Sequence, residues 1–491
     1  AFPYLVCIFY RNLYSLFLRV YQVMPDEEHE TTFQWLHSLA PCFAVNGDNV
    51  KVIESPKEFY SALLNGVKSA NHRIVLSALY LGTDDLDRQL VDCLNEKIKQ
   101  KGSKLDVNVL LDFTRGSRGE INSRTLLAPL IKENPQSSLE ISFFHTPSLR
   151  GFIKSCLPNR WNEIVGINHL KLFVFDDTFI ISGANLSKNY FEQRQDRYMS
   201  FSDSAEIVDY FQSIVKTVSS FSFQLLSDGD VQFSKQCPHH PVTGDLKQYV
   251  EHVRKCMQPF SLPYCYNENK SESNMSCWNP IYWFNNFFGK FSSSSVENQF
   301  NPANSVKSVN SSESSRTYFT SGYFNITENY SQLILNSRSK FDILVASPDA
   351  NGFLGSAGFA GQIPSVYVEL TKKFFNQIIE KDKTNDIKIW EYVRPQWTYH
   401  AKGLWFYDKK KELPSLTMIG SSNYGYRSVN RDFEAQITLV TSNSALMRQL
   451  HQERINLFKY AKPVTQSTFA KPKYAVKRWV SIATTIIKHY F

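Results

Sequence analysis

The feature that most constrains the fold is a polar pattern that occurs twice in an apolar context. Residues 169–185 read HLKLFVFDDTFIISGAN, and residues 400–423 again begin with a His-x-Lys pair and end in a Gly-Ser-Ser-Asn turn. Residues two apart on a strand face the same side of a sheet. Each histidine is therefore predicted to share a face with its lysine. Burying these groups without partners costs several kcal/mol, so the pattern indicates a functional site.

The two copies agree in order and in spacing. Each supplies a histidine, a lysine, an asparagine and a carboxylate: His169, Lys171, Asn185 and Asp196 in the first copy, and His400, Lys402, Asn423 and Glu434 in the second. In both copies the carboxylate lies 11 residues after the asparagine. The histidine precedes the asparagine by 16 residues in the first copy and by 23 in the second, and a hairpin turn at 409–413 accounts for the excess.

Flanking segments repeat in the same way, and they define the fold class. A predicted strand that ends in Tyr80 matches one that ends in Tyr323, and the strand and turn at 105–119 match those at 341–357. Helical patterns alternate with these strands, as at 56–69 and 366–381. We predict an α/β protein made of two similar α/β/α units, packed face to face around one shared active site.

Composition divides the chain into five segments. They are an N-terminal segment 1–47, a first unit 48–227, a linker with a Ser/Asn-rich insertion 228–316, a second unit 317–465 and a basic tail 466–491. The first 22 residues are acid-free and apolar, which predicts a targeting or interfacial segment, or alternatively an apolar helix docked on the body. The insertion is predicted to be poorly ordered. The sequence contains no apolar run of about 20 residues, so no transmembrane helix is predicted.

The net charge of +8 is concentrated at the C-terminal end. No acidic residue follows Glu453, and eight lysines and arginines do. Within 472–491 the apolar residues fall near one helical stripe: Val476, Trp479, Val480, Ile482, Ile486 and Tyr490. This pattern is typical of a helix lying on an anionic membrane surface. The alternative is a C-terminal helix packed on the body.

Two such polar sets can perform a narrow range of chemistry. Paired lysines and asparagines stabilise a tetrahedral oxyanion such as phosphate. One histidine can attack phosphorus while the other protonates the leaving group, and each carboxylate can orient a ring. Because the lysines neutralise the developing charge, the mechanism requires neither a metal nor another cofactor.

The motif H-x-K-x4-D, followed by a glycine–asparagine turn and present twice, resembles the signature of the phospholipase D superfamily. The strings SALYLG, HLKLFVFDD, SGANLSKNYFEQRQDRY, YHAKGLW and IGSSNYGYRS are most similar to the mitochondrial phosphatidylglycerophosphate synthases in it. The resemblance covers about 48–465. Asp176 occupies the motif's aspartate position in the first copy, whereas the second copy has Tyr407 there and Asp408 one residue later.

The resemblance implies a reaction and its substrates. CDP-diacylglycerol and sn-glycerol 3-phosphate would give phosphatidylglycerophosphate and CMP, on the mitochondrial inner membrane as a peripheral protein. In the usual order of the superfamily, His169 attacks phosphorus and His400 is the acid and base. A dianionic acceptor requires further contacts, for which we select Arg115, Arg118, Arg194, Arg197, Arg427, Arg431, Tyr80 and Tyr323.

Other interpretations remain open at this point. A phospholipase D-type phosphodiesterase would use water as the acceptor, on phospholipid or nucleic acid. The bases lie in the tail rather than along the repeat, so we predict no nucleic-acid partner. An inactive scaffold is disfavoured because both His–Lys pairs are intact. Cys237, His239, His240, Cys256 and Cys265 offer zinc ligands in a spacing that fits no standard site.

Overall fold

The computed structural model describes residues 15–21, 33, 36, 40–156, 162–260, 314–409 and 411–487. Predictions for the first 14 residues, for most of the Ser/Asn-rich insertion and for the last four residues lie outside this part of the chain. Within it, two sheets of nine strands each dominate the fold.

The first sheet contains the strands of the first unit. Its spatial order is β12-β11-β6-β5-β4-β7-β8-β10-β3. In chain order these strands are β3 Val50–Ile53, β4 Arg73–Ser77, β5 Asp106–Asp112, β6 Ser138–Phe144, β7 Leu172–Phe175, β8 Thr178–Ser182, β10 Tyr198–Phe201, β11 Phe223–Leu225 and β12 Val231–Phe233. Strands β4, β5 and β6 are parallel, whereas β7 runs antiparallel to β4 and is followed by the β7–β8 hairpin.

The second sheet repeats this plan. Its order is β2-β1-β19-β18-β17-β13-β14-β15-β20. The strands are β1 Ser15–Tyr21, β2 Cys42–Ala44, β13 Arg316–Ser321, β14 Lys340–Ala346, β15 Ile387–Tyr392, β17 Lys402–Tyr407, β18 Leu416–Gly420, β19 Glu434–Val440 and β20 Ala461–Pro463. The parallel set β13, β14 and β15 corresponds to β4, β5 and β6, and β17 corresponds to β7. The prediction of two similar units is confirmed.

Helices cover both faces of the sheets. They are α1 Pro56–Ser69, α2 Asp85–Lys101, α3 Phe113–Gly116, α4 Ser123–Glu133, α5 Gly151–Cys156, α6 Lys188–Glu192, α7 Ala205–Ser220, α8 Leu246–Met257, α9 Glu328–Asn336, α10 Ile363–Glu380, α11 Tyr426–Asn430, α12 Ser444–Phe458 and α13 Arg478–Ile487. The start of α1 shows why local sequence specifies these elements, since Ser55 caps it and Pro56 occupies its first position.

The buried apolar side chains form a core between the sheets and one core on each outer face. The central core contains residues from both units, including Val174 of β7, Trp405 of β17 and the apolar faces of α7 and α12. The outer cores each belong to one unit apart from Phe33 and Leu36, which come from the N-terminal segment. The shared central core is the physical reason that the two units pack face to face.

The N-terminal segment differs from its interfacial interpretation. Strand β1 pairs in parallel with β19 over seven residues, from Ser15 with Glu434 to Tyr21 with Val440, and β2 pairs with β1. The backbone of these strands is therefore part of the second sheet.

The linker interpretation of 228–316 is wrong for its first part. Strand β12 extends the first sheet, and helix α8 places Tyr249, Val253 and Met257 in the central core. These residues recur every four positions, which is the pattern of a helix with one buried face. The zinc ligands proposed there do not assemble within the described residues, since Cys237 donates to the carbonyl of His239 and Cys265 lies outside them.

The basic tail packs on the body and also exposes apolar side chains. Helix α13 lies along α10, where Ser481 donates to Glu369 and Val480 and Thr484 are buried. Trp479 and Ile482 are exposed. Among the helices of the described residues, none combines the length and apolar character needed to cross a bilayer.

Candidate active site

Two short crossings between the units build the site. The strand pair β9 Arg194–Gln195 and β16 Thr398–Tyr399 joins the units just before His400. An isolated bridge between Asn168 and Phe433 joins them just before His169. The backbone N–H of each histidine then donates across the interface, from His169 to the Phe433 carbonyl at 2.9 Å and from His400 to the Gln195 carbonyl at 2.8 Å.

The crossings pair each histidine with the carboxylate of the other unit. Nδ1 of His169 lies 2.8 Å from Oε2 of Glu434, and Nδ1 of His400 lies 2.7 Å from Oδ2 of Asp196. All four side chains are buried. Because a carboxylate holds Nδ1 of each ring, Nε2 is the nitrogen left for chemistry. At His400, Nζ of Lys402 and the Tyr190 hydroxyl lie 3.2 and 3.4 Å from Nε2.

Burial determines the protonation of this group. Burial, reinforced by Lys171 near His169 and by Lys402 near His400, holds the pKa of each histidine well below its usual range. Burial raises the pKa of Asp196 to about 6 and also raises that of Glu434. A neutral imidazole with Nε2 free of a proton is the form that attacks phosphorus. A histidine that acts as the general acid must instead gain a proton when the anionic substrate binds.

The two lysines lie against their own histidines. Nζ of Lys171 donates to the His169 carbonyl at 2.9 Å, and Nζ of Lys402 donates to the His400 carbonyl at 2.6 Å. Burial lowers the pKa of Lys171 to about 7 and that of Lys402 to about 8, against the opposing effect of the carboxylates. An arriving phosphate favours the charged form of both lysines, so phosphate binding and lysine protonation are coupled.

Asn185 follows β8 and Asn423 follows β18, so each asparagine comes after the second strand of a hairpin. Nδ2 of Asn185 donates to the Tyr190 hydroxyl at 3.2 Å, and its Oδ1 accepts from the backbone of Leu79. The buried Oδ1 of Asn423 accepts no hydrogen bond from the described residues. Each asparagine thus follows the second strand of the hairpin whose first strand comes just after the histidine.

A cluster of tyrosines and one arginine surrounds His400. The rings of Tyr190 and Tyr323 lie edge-on to its imidazole at 5.2 and 5.1 Å. The guanidinium of Arg194 lies over the Tyr190 ring at 4.6 Å, and its Nε donates to Thr398. Arg194 is partly exposed, and no carboxylate in the described residues forms an ion pair with it. A cation without a carboxylate partner beside a catalytic histidine is suited to bind an anionic ligand.

Three of the other predicted arginines, Arg115, Arg118 and Arg427, have acidic partners. Nε of Arg427 donates to Asp432 at 2.8 Å, beside His169. Arg115 lies over the Tyr80 ring at 4.2 Å, and both Arg115 and Arg118 pair with Glu163. The side chain of Arg431 lies near the Tyr426 ring.

Arg197 requires a correction, since it is not placed to bind substrate. It is fully buried over the Trp405 ring, and its guanidinium forms two hydrogen bonds of 2.8 Å with Glu453. The remaining donors bond to Thr417 and to the Met418 carbonyl. Because every nitrogen of Arg197 is occupied, its role is to hold the two units together.

Asp176 also requires a correction. It lies in the β7–β8 turn with a φ of 49°, at the end of β7 opposite the histidine. Its carboxylate accepts from the backbone N–H groups of Asn71, His72 and Arg73 at 2.8 to 3.1 Å. Asp176 therefore stabilises the start of β4 and takes no part in the chemistry. The second copy has Tyr407 at this position, which bonds to His451 instead.

Two glycines make the close packing of the site possible. A Cβ at Gly183 would lie 2.7 Å from Oδ1 of Asp196. A Cβ at Gly403, whose φ is +129°, would lie 2.0 Å from the Met418 carbonyl oxygen and 2.3 Å from Nη1 of Arg197. Glycine is required at both positions because no side chain fits there.

Three functional neighbours were missed in the sequence. Tyr190 contacts His400, Asp432 pairs with Arg427 beside His169, and Ser421 donates to Glu434. Tyr190 and Ser421 lie within the strings that carried the resemblance, but neither has a counterpart of the same type in the other copy. The histidines, lysines, asparagines and carboxylates were identified because they recur in both copies. Residues without a counterpart in the other copy could not be identified in this way.

Ligand atoms of His169, Asp432 and Glu434 lie within 4.8 Å of one another, a grouping that can hold a metal ion. Asp432 is bonded to Arg427, and Glu434 lies close to Lys171. Cations of the chain already compensate both carboxylates, so these residues fit an ion poorly.

Known proteins resemble this chain in sequence and in fold over most of its length. The chain is 40% identical to the mitochondrial CDP-diacylglycerol–glycerol-3-phosphate 3-phosphatidyltransferase of Homo sapiens, over 95% of this chain and 87% of that protein. It is 32% identical to the enzyme of that name from Saccharomyces cerevisiae, over 92% and 89% of the two chains. A crystal structure of phosphatidylserine synthase from Haemophilus influenzae superposes with a TM-score of 0.66 at 19% identity, covering 94% of this chain and all of that one.

The superposition covers 94% of this chain, so the likeness in fold includes both units. No family model matches the sequence. The sequence likeness spans nearly the full length of both partners and includes both histidine segments. The chain therefore belongs to the family of CDP-diacylglycerol–glycerol-3-phosphate 3-phosphatidyltransferases.

Proposed function

We propose that this protein transfers a phosphatidyl group from CDP-diacylglycerol to sn-glycerol 3-phosphate, which gives phosphatidylglycerophosphate and CMP. The observation that carries the proposal is the crossed pairing of the two buried histidines, Glu434 with His169 and Asp196 with His400. It supplies a nucleophile and a separate acid–base group in one site. The substrates are those in the names of its relatives.

In the first step, Nε2 of His169 attacks the phosphorus that bears diacylglycerol. Binding of the anionic diphosphate of CDP-diacylglycerol favours the protonated form of His400. The Nε2–P bond forms as the bond from phosphorus to the CMP oxygen breaks, and His400 gives this proton to departing CMP. Lys171 and Lys402 stabilise the charge on the phosphoryl oxygens. The product of this step is a phosphatidyl-histidine.

In the second step, His400 removes the proton from the 1-hydroxyl of glycerol 3-phosphate. The new P–O bond forms as the Nε2–P bond breaks, which restores His169. Two in-line displacements give net retention at phosphorus. Glu434 stabilises the positive charge on His169, and Asp196 stabilises it on His400 while that ring holds the proton.

Arg194 is the residue best placed to bind the phosphate of the acceptor. It lies beside His400, which must reach the acceptor hydroxyl, and it contributes a charge that the described carboxylates do not neutralise. Tyr190 and Tyr323 line the same space. We expect this cluster, rather than the acid-paired arginines, to distinguish glycerol 3-phosphate from water.

Replacing Arg194 by methionine is expected to raise the KM for glycerol 3-phosphate by about 10- to 100-fold, since a hydrogen bond to a charged group contributes about 1.5–3 kcal/mol. Steady-state kinetics would measure this, with Arg124→Gln as a control because Arg124 pairs with Asp230 outside the site. Exchange of labelled CMP into CDP-diacylglycerol does not use the acceptor and is expected to persist. An unchanged KM, or an equal loss of exchange, would argue against this role.

The test of the function is a product analysis with and without acceptor. With both substrates, we expect equimolar CMP and phosphatidylglycerophosphate. Without glycerol 3-phosphate, we expect CMP exchange and only slow formation of phosphatidic acid. Rapid release of phosphatidic acid that glycerol 3-phosphate does not suppress would instead identify a phosphodiesterase.

The site of action follows from the substrate and the charge. We propose that the protein acts in mitochondria, as the names of its relatives indicate, and lies on the inner membrane as a peripheral protein. The basic residues of the tail support this proposal, because cations near an anionic bilayer contribute about 1 kcal/mol each. We propose no nucleic-acid partner, since these bases lie away from the repeat.

A further inference from the structure

One loop near the catalytic centre is unusual in its composition. Residues 351–362, between β14 and α10, read NGFLGSAGFAGQ, and the chain carries no charged residue from 350 to 368. Surface loops beside a site for anionic ligands ordinarily carry polar or basic residues. Apart from Asn351, Ser356 and Gln362, this loop consists of glycine, alanine and large apolar residues.

Contacts place the start of this loop beside His400. The Phe353 ring lies 5.5 Å from that of Tyr323, whose ring lies 5.1 Å from His400. A Cβ at Gly352 would lie 2.8 Å from the Tyr323 hydroxyl and 2.9 Å from Nη2 of Arg194. The end of the loop leads into α10, where Tyr367 stacks on Tyr323 at 5.3 Å.

Immediately beyond these contacts the loop faces solvent. The Leu354 side chain is 58% exposed, and Gly355 and Gly358 have positive φ angles with open space around them. The loop that follows the corresponding strand β5 of the first unit also exposes an apolar side chain, Ile121, at 61%. Single exposed apolar residues are ordinary on protein surfaces, so the position of this uncharged loop beside the site, and its neighbours, carry the inference.

The basic tail lies against the same region. Nζ of Lys473 pairs with Asp349, three residues before Gly352. Helix α13 lies along α10, with Trp479 48% exposed and Ile482 68% exposed. Lys471, Lys477 and Arg478 are also exposed at this end of the tail. An uncharged apolar loop therefore adjoins a cluster of exposed cations and two exposed apolar side chains.

We propose that loop 351–362 and the exposed side chains of α13 form one membrane-docking surface, which sets the His400 side of the site against an anionic lipid bilayer. The apolar tips enter the lipid while the lysines and arginine bind anionic headgroups. This inference rests on the proposed function, because it explains how a diacylglycerol-bearing substrate reaches a buried histidine. The loop would contact the lipid next to the phosphate that reacts.

The test compares Leu354→Glu with Ile379→Glu in the full chain. Ile379 is also an exposed apolar residue, 44% exposed, but it lies near the far end of α10, about 24 Å along the helix from Ile363. Co-sedimentation would use phosphatidylcholine vesicles with and without phosphatidylglycerol, in the absence of both substrates. We expect Leu354→Glu to lower the partition coefficient about tenfold, while Ile379→Glu leaves it unchanged.

Several results would overturn the proposal. The first is vesicle binding by Leu354→Glu at the wild-type level, and the second is an equal loss of binding in both variants. The third is a change in the sedimentation mass of Leu354→Glu without a change in vesicle binding, which would indicate a contact between copies of this chain. Equal thermal midpoints of the variants would show that they are folded. Because binding is measured without turnover, failure of the proposed reaction leaves this result unaffected.

Discussion

Replacing His169 by alanine is expected to lower kcat by about 10⁴-fold or more, because the nucleophile of both steps is lost. Formation of phosphatidylglycerophosphate and CMP exchange should disappear together. The surroundings are expected to tolerate the change, since the Glu434 carboxylate keeps its hydrogen bond from Ser421. Thermal unfolding of the variant would show that the loss is chemical.

His400→Ala is the matched control for this prediction. The proposed roles differ, so this variant retains the nucleophile but lacks the group that protonates CMP and activates the acceptor. We expect slow attack on CDP-diacylglycerol and almost no completion of the second step. Equal residual CMP exchange in the two variants would contradict the assignment of roles.

The second large effect concerns the crossed carboxylates. Asp196→Asn and Glu434→Gln are each expected to lower kcat by about 10²- to 10⁴-fold, because each ring loses the charge that stabilises its imidazolium form. The crossing determines which histidine each variant affects. Glu434 belongs to the second unit but holds His169, so Glu434→Gln should slow formation of the intermediate.

Asp196 belongs to the first unit but holds His400, which acts in both steps, so Asp196→Asn should slow both formation and consumption of the intermediate. Rapid-quench measurement of the two half-reactions would separate these effects. Combining Asp196→Asn with His400→Ala should add little further loss, because residues that act as a unit are not additive. If Asp196→Asn instead behaved like His169→Ala, the functional pairing would lie within a unit.

Much of this architecture could be predicted from the repeat. Two similar α/β units and the family followed from matched segments such as those at His169 and His400, and the structure and comparisons confirm them. A repeat also shows which residue types recur after each hairpin. It cannot show which unit's carboxylate reaches which ring, because that depends on how the units pack.

Arg197 and Asp176 were misassigned because position in the sequence does not show where a side chain lies in the folded units. Arg197 lies one position after Asp196, yet its side chain points into the interface and binds Glu453. Asp176 belongs to the motif, yet about seven residues of extended strand separate it from His169, a distance of roughly 23 Å. Both residues are close in sequence to the catalytic residues. Alternation of side chains turns Arg197 away from Asp196, and the length of β7 separates Asp176 from His169.

The most direct test of the central claim is to trap the covalent intermediate and locate it. CDP-diacylglycerol labelled in the diacylglycerol-bearing phosphate would be mixed with the wild-type enzyme without acceptor and quenched in alkali, since phosphohistidine is labile in acid. Peptide mapping by mass spectrometry would then identify the modified residue. The proposed mechanism predicts one phosphatidyl group on Nε2 of His169, discharged by glycerol 3-phosphate. Label on His400 or on no residue, with inversion at phosphorus in the product, would contradict it.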